Sequence, residues 1–398
     1  MTLPDVDTAL ARMLARTAPL DVEAVGLGEA DGRWLAEAVA ACRDQPPFDA
    51  SAMDGWAVRA TDVRPGACLR IVGESAAGGS VDFRLNPGEA ARIFTGAPMP
   101  EGADAVVIQE TATRQGDAVI LGEAGADPAW VRPRGGDFKA EDVLLSAGVR
   151  LNPWRLALAA SAGVGAVRCG RRPRVALLPN GDELVEPGRP IADHQIFNSA
   201  GPALAAFAAR CGARPTALPS ARDDEAAIRS AVTGAAFDLL VTVGGASVGD
   251  HDRVKPALRA LGAEMIVEGC AMRPGKPVWF AVLPDGRIVL GLPGNPASAL
   301  VCAELFLAPL IARLQGGAPT PRRDSAALAV DLPANGPRDH YMRARLEVGA
   351  EGRLLAWPFS NQDSSLVSVM AQADALVRRP PGAPAAVAGE IVEVIRPS

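Results

Sequence analysis

Three segments combine glycine, acids and short polar residues directly after an apolar run. RVALLP leads into Asn180, Gly181, Asp182 and Glu183; DLLVTV into Gly244, Gly245, Ser247, Gly249, Asp250 and Asp252; IVLGLP into Gly294, Asn295, Pro296 and Ser298. Ligands of an open α/β sheet sit at the carboxyl ends of its strands, so parallel pairing would set all three loops on one rim. GGASVG offers consecutive backbone N–H groups, and its glycines let the chain approach a phosphate closely. Taken alone, a tight strand-to-helix turn is the better account of such a loop. The neighbouring acids change that, because a carboxylate beside a phosphate calls for a bridging cation. Mg²⁺, which takes a few carboxylates together with phosphate oxygens, is the expected ion.

Other polar loops extend the set. In PGNPAS, Asn295 is placed to cap a helix with Pro296 in its first turn. MRPGKP sets Arg273 and Lys276 on a stiff turn, a solvated basic corner by itself and a cationic clamp beside two anion-binding loops. Lysine stands only at Lys139, Lys255 and Lys276, all other basic residues being arginine, so each retained lysine is either a place where a point charge suits better than a planar guanidinium or a chance survivor on the surface. Asp49, Ser51, Asp54, Thr95, Arg132, Arg134 and Asp137 fall in Pro/Gly-bounded loops, where turn chemistry explains each one singly. There are only three histidines to serve as a base, so positioning and charge neutralisation fit better than a covalent nucleophile.

The elements that must hold these residues fall into four regions. Residues 1–43 and 141–170 read as a helical element, with helices over DVDTALARMLARTA, DGRWLAEAVAA and LNPWRLALAASAG. Residues 44–140 break into short alternating runs, a β insert. Residues 171–316 alternate continuous apolar strands with helices, which predicts a three-layer α/β domain around a mostly parallel sheet. Residues 325–398 read as a small β domain.

Composition narrows the partners. A net charge of -6 argues against a general nucleic-acid surface. The six cysteines form no C-x-x-C pair and are expected as buried free thiols of a reducing compartment. The N-terminus lacks a signal-peptide pattern, and no later segment is expected to span a membrane. A cytoplasmic location follows as the expectation.

PPFDASAMDGWAVRA, RIFTGAPMPEGADAVVIQE, RPRGGDFKAEDVLL, GDELVEPG, GGASVGDHDRVK, AMRPGKPVWFA and GLPGNPASALV stand in one order along the chain. Together they resemble the molybdopterin molybdenumtransferase family, to which the gephyrin E-domain is similar. The resemblance implies insertion of molybdate into adenylylated molybdopterin with a divalent cation, releasing AMP and giving molybdenum cofactor. It implies an elongated homodimer in which Asp54, Thr95, Arg132 and Arg134 reach the partner's cleft, and admits a molybdopterin adenylyltransferase as a delivering partner. It assigns Gly244, Gly245, Ser247 and Gly249 to nucleotide phosphates, and Glu183, Asp223 and Asp252 to metal or water, with Asp54 completing the catalytic acids. Arg273, Lys276, Pro296 and Ser298 fall to the oxyanion and pyrophosphate, and Arg343, Ser364 and Ser365 to the pterin end. Two other readings are an adenylyltransferase, which the long insert and C-terminal region disfavour, and a gephyrin-like scaffold, for which no low-complexity linker is present. The chain departs from the family pattern at Gly136, at Pro179–Asn180, at Ala200 and at Arg273, where lysine is common.

Overall fold

A computed structural model describes residues 3–123, 125–127, 130–219, 224–244, 253–318, 323–350 and 352–397. Its centre is a six-stranded sheet in the order Arg214–Ala217, Arg174–Pro179, Leu239–Val243, Ile288–Leu292, Trp279–Val282, Glu264–Val267. The first four strands are parallel. Trp279–Val282 alone is reversed, antiparallel to both Ile288–Leu292 and Glu264–Val267, because the Asp285-Gly286 turn joins it to Ile288–Leu292 as a hairpin. Parallel pairing thus prevails in the half that carries the rim.

Period-two alternation gives the sheet two cores. Val175, Leu177, Leu239 and Val241 pack with Phe207 and Phe306 on one face; Ala176, Leu178 and Leu240 pack with Ile228, Val232 and Leu258 on the other. With both faces covered, strands need no polar side, which explains their continuous apolar runs. Helix Val6–Ala15, capped by Asp5 accepting from the Thr8 N–H at 2.7 Å, buries Val6, Ala9 and Met13 in the first of these cores. It therefore packs on the α/β region and not with the N-terminal helical element in which the sequence placed it.

Pro296–Leu314 is a 19-residue helical run that is long and apolar enough to cross a membrane, contrary to the sequence expectation. It is 72% buried inside the protein and supplies Val301, Leu305, Phe306 and Leu310 to the core. Its middle widens into a π turn over Ala303–Leu307, where Pro309 cannot return a hydrogen bond to the Leu305 carbonyl.

DGRWLAEAVAA forms no helix. Gly32 turns the chain at positive φ, Trp34 and Leu35 bridge to Arg150 and Cys169, and Val39–Ala40 pairs with Val143–Leu145. Leu35 and Val39 meet Leu145, Leu151 and Val167 in a small shared core, so tertiary pairing overrides the helical spacing. Helix Pro153–Ser161 forms as expected, with Pro153 in its first turn and Asn152 accepting from the Arg155 N–H.

The insert is a six-stranded sheet, antiparallel except where Cys68–Ser75 meets Glu89–Ile93. The C-terminal region closes into a small barrel, since Asp339–Val348 pairs with both Leu354–Pro358 and Ala375–Arg379. Met272–Arg273, from the α/β region, adds to the barrel by pairing with Asp339–His340. Asp339, 1% exposed, takes two bonds from Arg378, and Asp7 on the first helix pairs with Arg323 and Arg378. The barrel is thereby fixed against the sheet end that carries the basic turn.

Among the described residues all six cysteines are free thiols; Cys169, Cys270 and Cys302 are buried, whereas Cys42 and Cys68 are exposed, which corrects the expectation of uniform burial.

Candidate active site

A cleft of about 1100 Å³ lies where the parallel strands end. Pro179 is in register with Val243, and Val243 with Leu292, so the three polar loops start abreast. Asn180, Gly181, Glu183, Gly244, Gly294, Asn295, Pro296 and Ser298 line the cleft. Gly244 sits at φ +92°, and a Cβ there would lie 2.4 Å from the Asn180 carbonyl oxygen, so the close approach of two strand ends demands glycine.

The opposite wall is basic. Arg273 and Lys276 face the cleft from the Met272–Pro277 turn, which is seated so deeply that a Cβ on Gly275 would meet the Cys302 sulfur at 2.5 Å. Arg338 joins them from the barrel side. His340 lies nearby; burial first, then the charges of Arg273, Arg343 and Arg338, push its pKa down to about 4, so the imidazole is neutral at physiological pH. Lys276 is the one lysine of the three that lines the cleft; Lys255 is buried on helix Val254–Ala260.

The barrel closes the third side through residues 359–365. Gln362 donates to the Phe359 and Arg343 carbonyls and accepts from the Arg343 N–H, while Arg343 Nη2 donates to the Asp363 carbonyl at 2.9 Å. Asp363 in turn accepts from the Ser365 N–H and hydroxyl; those bonds, with the Arg343 charge, hold its carboxyl below the usual range. Ser364 and Ser365 reach the cleft. Arg343 does not, being fully buried, so the contact expected of it is corrected to support of the loop behind Ser364.

Asn295 also departs from expectation. Its side chain makes no cap; its Nδ2 donates to Ser364 Oγ at 2.8 Å, linking the helix start at Pro296 to the barrel loop. Pro296 does occupy the first turn, and Ser298, 4% exposed, points its small polar side chain into the cleft wall.

The insert residues form a separate polar group, none of which lines this chain's cleft. Asp54 accepts from the Thr95 N–H at 2.8 Å and hydroxyl at 2.7 Å, which lowers its pKa. Arg132 lies on Val131–Arg132, paired with Ala50–Ser51. Arg134 bonds Asp49 through its backbone N–H and Asp44 through Nε, with its side chain 67% exposed.

Gly245, Ser247, Gly249, Asp223 and Asp252 lie outside the described residues. Among the described residues no cluster of three His, Cys, Asp or Glu is placed to hold a metal. Gln362 and Asp363 belong to the segment FSNQDSSLVSVM, which the family resemblance had given as a cleft loop; cleft residues that the sequence reading passed over are Arg338 and the pair Ile196–Phe197, 56% and 45% exposed. An apolar pair in the polar run ADHQIFNSAG was the signal for the last two.

Residues 4–163 match the MoeA N-terminal region (domain I and II), 176–313 a probable molybdopterin binding domain, and 325–396 the MoeA C-terminal region (domain IV). A molybdopterin molybdenumtransferase of Nostoc is 40% identical over 305 residues, covering 74% of this chain and 70% of that protein. The chain belongs to the molybdopterin molybdenumtransferase family. The Haemophilus influenzae molybdenumtransferase is 34% identical over 94% of this chain and 93% of its own. A molybdopterin biosynthesis moeA protein from Pyrococcus horikoshii superposes with TM-score 0.84 at 25% identity, over 99% of this chain and 100% of that one. Membership makes the protein a transferase of molybdenum cofactor biosynthesis, with N-terminal, central and C-terminal domains in the family's order.

Proposed function

We propose that the protein inserts molybdate into adenylylated molybdopterin, with release of AMP, in the cleft at the carboxyl ends of the parallel strands. The observation that carries the reading is the convergence of three parallel strand ends, the Arg273–Lys276 turn and the Ser364 loop on one cavity of about 1100 Å³. That volume exceeds the few hundred Å³ that suffice for a small ligand and suits a nucleotide joined to a pterin.

Substrate and oxyanion are both anionic. Arg273 and Lys276 would neutralise them, Arg273 by a planar two-point contact and Lys276 as a point charge. The helix start at Pro296, with free N–H groups beside Ser298, favours a negatively charged group. Asn295 and Ser364, tied together, would fix the distance between the α/β and barrel walls and thus the relative placement of the two ends of the substrate.

Glu183 on the rim fits a Mg²⁺ ion, since this cation is often held by one or two carboxylates and the phosphates of its substrate. Asp223 and Asp252 are the further acids proposed for it. When bound, the ion would supply charge neutralisation at the phosphate bridge.

The Asp54–Thr95–Arg132–Arg134 group is proposed to complete the cleft of a second copy in a homodimer. Its supports are the absence of these residues from this chain's cleft lining and the exposure of the Arg134 side chain. An adenylyltransferase delivering the substrate, and a cytoplasmic location, belong to the same proposal.

The test is direct. Purified protein with adenylylated molybdopterin, Mg²⁺ and molybdate is expected to release AMP only when molybdate is present; molybdate-independent release, or none, would overturn the reading. For the dimer, Asp54→Ala and Lys276→Ala chains, inactive separately, should regain activity when mixed, and no recovery would place Asp54 outside the partner's cleft.

A further inference from the structure

The opposite end of the central sheet holds a second concentration of positive charge. A hollow of about 410 Å³ is lined by Glu23, Arg171, Arg172, Arg174 and Arg214. Arg174 and Arg214 begin adjacent parallel strands in direct register, so their side chains start side by side at the amino ends of those strands. Arg171 and Arg172 lie in the link that enters Arg174–Pro179 from Ala166–Gly170, and Glu23 is on the partner of that preceding strand. The hollow thus sits on the seam between the N-terminal region and the α/β region, away from the substrate cleft.

The carboxylates present are already committed. Asp238, its side chain 8% exposed, takes a two-point contact from Arg171 and further bonds from the backbone N–H and guanidinium of Arg174. Against the upward push of burial, these bonds bring its pKa down to about 2, so it stays ionised and occupied. Glu23 is bound by Arg33, which is 5% exposed and also donates to the Gly170 carbonyl. Asp21 adds its charge beside Arg171. Five guanidinium groups (Arg33, Arg171, Arg172, Arg174, Arg214) therefore face three carboxylates (Glu23, Asp238, Asp21), an excess of two positive charges. Among the described residues Arg172 and Arg214 have no ion-pair partner. Arg172 pays for its position: partial burial first, then the charges of Arg33 and Arg214, disfavour its charged form, with Glu23 opposing.

We propose that this hollow binds a doubly charged tetrahedral oxyanion of the phosphate class, held between Arg172 and Arg214. Such an anion matches the charge excess, accepts the paired N–H groups of two guanidiniums, and removes the repulsion between them. Bound there, it would brace the seam between the two regions. A free phosphate ion and the phosphate of a nucleotide share this chemistry.

Inorganic phosphate and AMP serve as separate probes in calorimetric titration and thermal melts. Phosphate is expected to bind the Lys276→Ala protein, whose cleft is impaired, as it binds the unaltered protein, and to bind Arg172→Gln/Arg214→Gln at least about tenfold more weakly. AMP that competes with phosphate in the Lys276→Ala background identifies a nucleotide phosphate as a source; AMP that does not compete leaves free phosphate as the ligand. The melts give a sign test independent of affinity. Without phosphate the double variant should melt at or above the unaltered protein, because repulsion is relieved, and with phosphate it should melt below. Unchanged phosphate binding in the double variant, or no binding in Lys276→Ala, overturns the proposal. Arg214→Gln alone, which removes an exposed side chain without an ion-pair partner, should weaken binding in the same direction and guards against misfolding of the double variant.

Discussion

The contact between Asn295 and Ser364 makes a quantitative prediction about how two domains share one site. Asn295 follows the strand Ile288–Leu292, Ser364 belongs to a barrel loop, and the bond joining them is 2.8 Å long. A neutral hydrogen bond of this kind is worth a net of about 0.5–1.5 kcal/mol, and 1.4 kcal/mol is a factor of ten. If its role is to set the cleft width, Asn295→Ala and Ser364→Ala should each lower kcat/KM for molybdate-dependent AMP release by roughly two- to tenfold from this bond. The combined variant should lose little beyond the worse single one, because the second substitution removes half of a bond already broken. The coupling energy of the double-mutant cycle is then about 0.5–1.5 kcal/mol. Melting temperatures should barely change, since the bond is solvent-exposed and the loop is held independently by Gln362 and by Arg343 bonded to Asp363. Losses that multiply would show that the two residues act on substrate separately and would refute the coupling.

Asp339→Ala removes the closest carboxylate of Arg378, which keeps Asp7 and Glu393 as partners; a stability loss of about 1.5–3 kcal/mol is expected in chemical denaturation, and a loss under about 0.5 kcal/mol would reject Asp339 as an anchor of the barrel. His340 has its folded pKa lowered from 6.5 to about 4, so the unfolded chain binds the extra proton between those values and stability should fall as pH drops through that window. Replacing His340 with Gln should flatten this segment of the pH profile, and an unchanged slope would assign it to other groups. Gly244→Ala forces a left-handed backbone on alanine and brings a Cβ to 2.4 Å from the Asn180 carbonyl; activity should drop more than tenfold through displacement of the rim, and full activity would show that the two strand ends separate freely. Phe197→Ala, which removes an exposed aromatic face from the cleft edge, should raise KM for the adenylylated substrate with little effect on kcat, whereas a pure kcat loss would exclude a binding role.

The rim was legible because its cause is local. Apolar runs ending in glycine, asparagine and acids mark strand ends, and the register Pro179–Val243–Leu292 follows once the strands are parallel. Lys276 was legible for a different reason, as one of three lysines in a chain that otherwise uses arginine. What escaped depends on contacts between segments far apart in sequence. DGRWLAEAVAA has helical spacing, yet Val39–Ala40 finds a partner strand a hundred residues on, and nothing in eleven residues encodes that meeting. Asn295 has the side chain of a helix cap, but a hydroxyl 69 positions away competes for it.

Arg343 shows the same limit more sharply. The family resemblance implied a ligand contact for it, whereas the strand pairing of Asp339–Val348 with Ala375–Arg379 turns the side chain inward. Buried, it still acts on the site, because the Asp363 carbonyl it holds lies next to Ser364, and Ser364 is the residue that meets Asn295. Two hydrogen bonds, joined by the peptide link between Asp363 and Ser364, therefore run from the interior of the barrel to the helix start at Pro296. Arg343→Lys keeps the charge but gives up the fixed geometry of the guanidinium, so it should loosen the Ser364 loop and mimic the Ser364→Ala loss in kcat/KM. In the Asn295→Ala background the same substitution should have little further effect, because the link it supports is already cut.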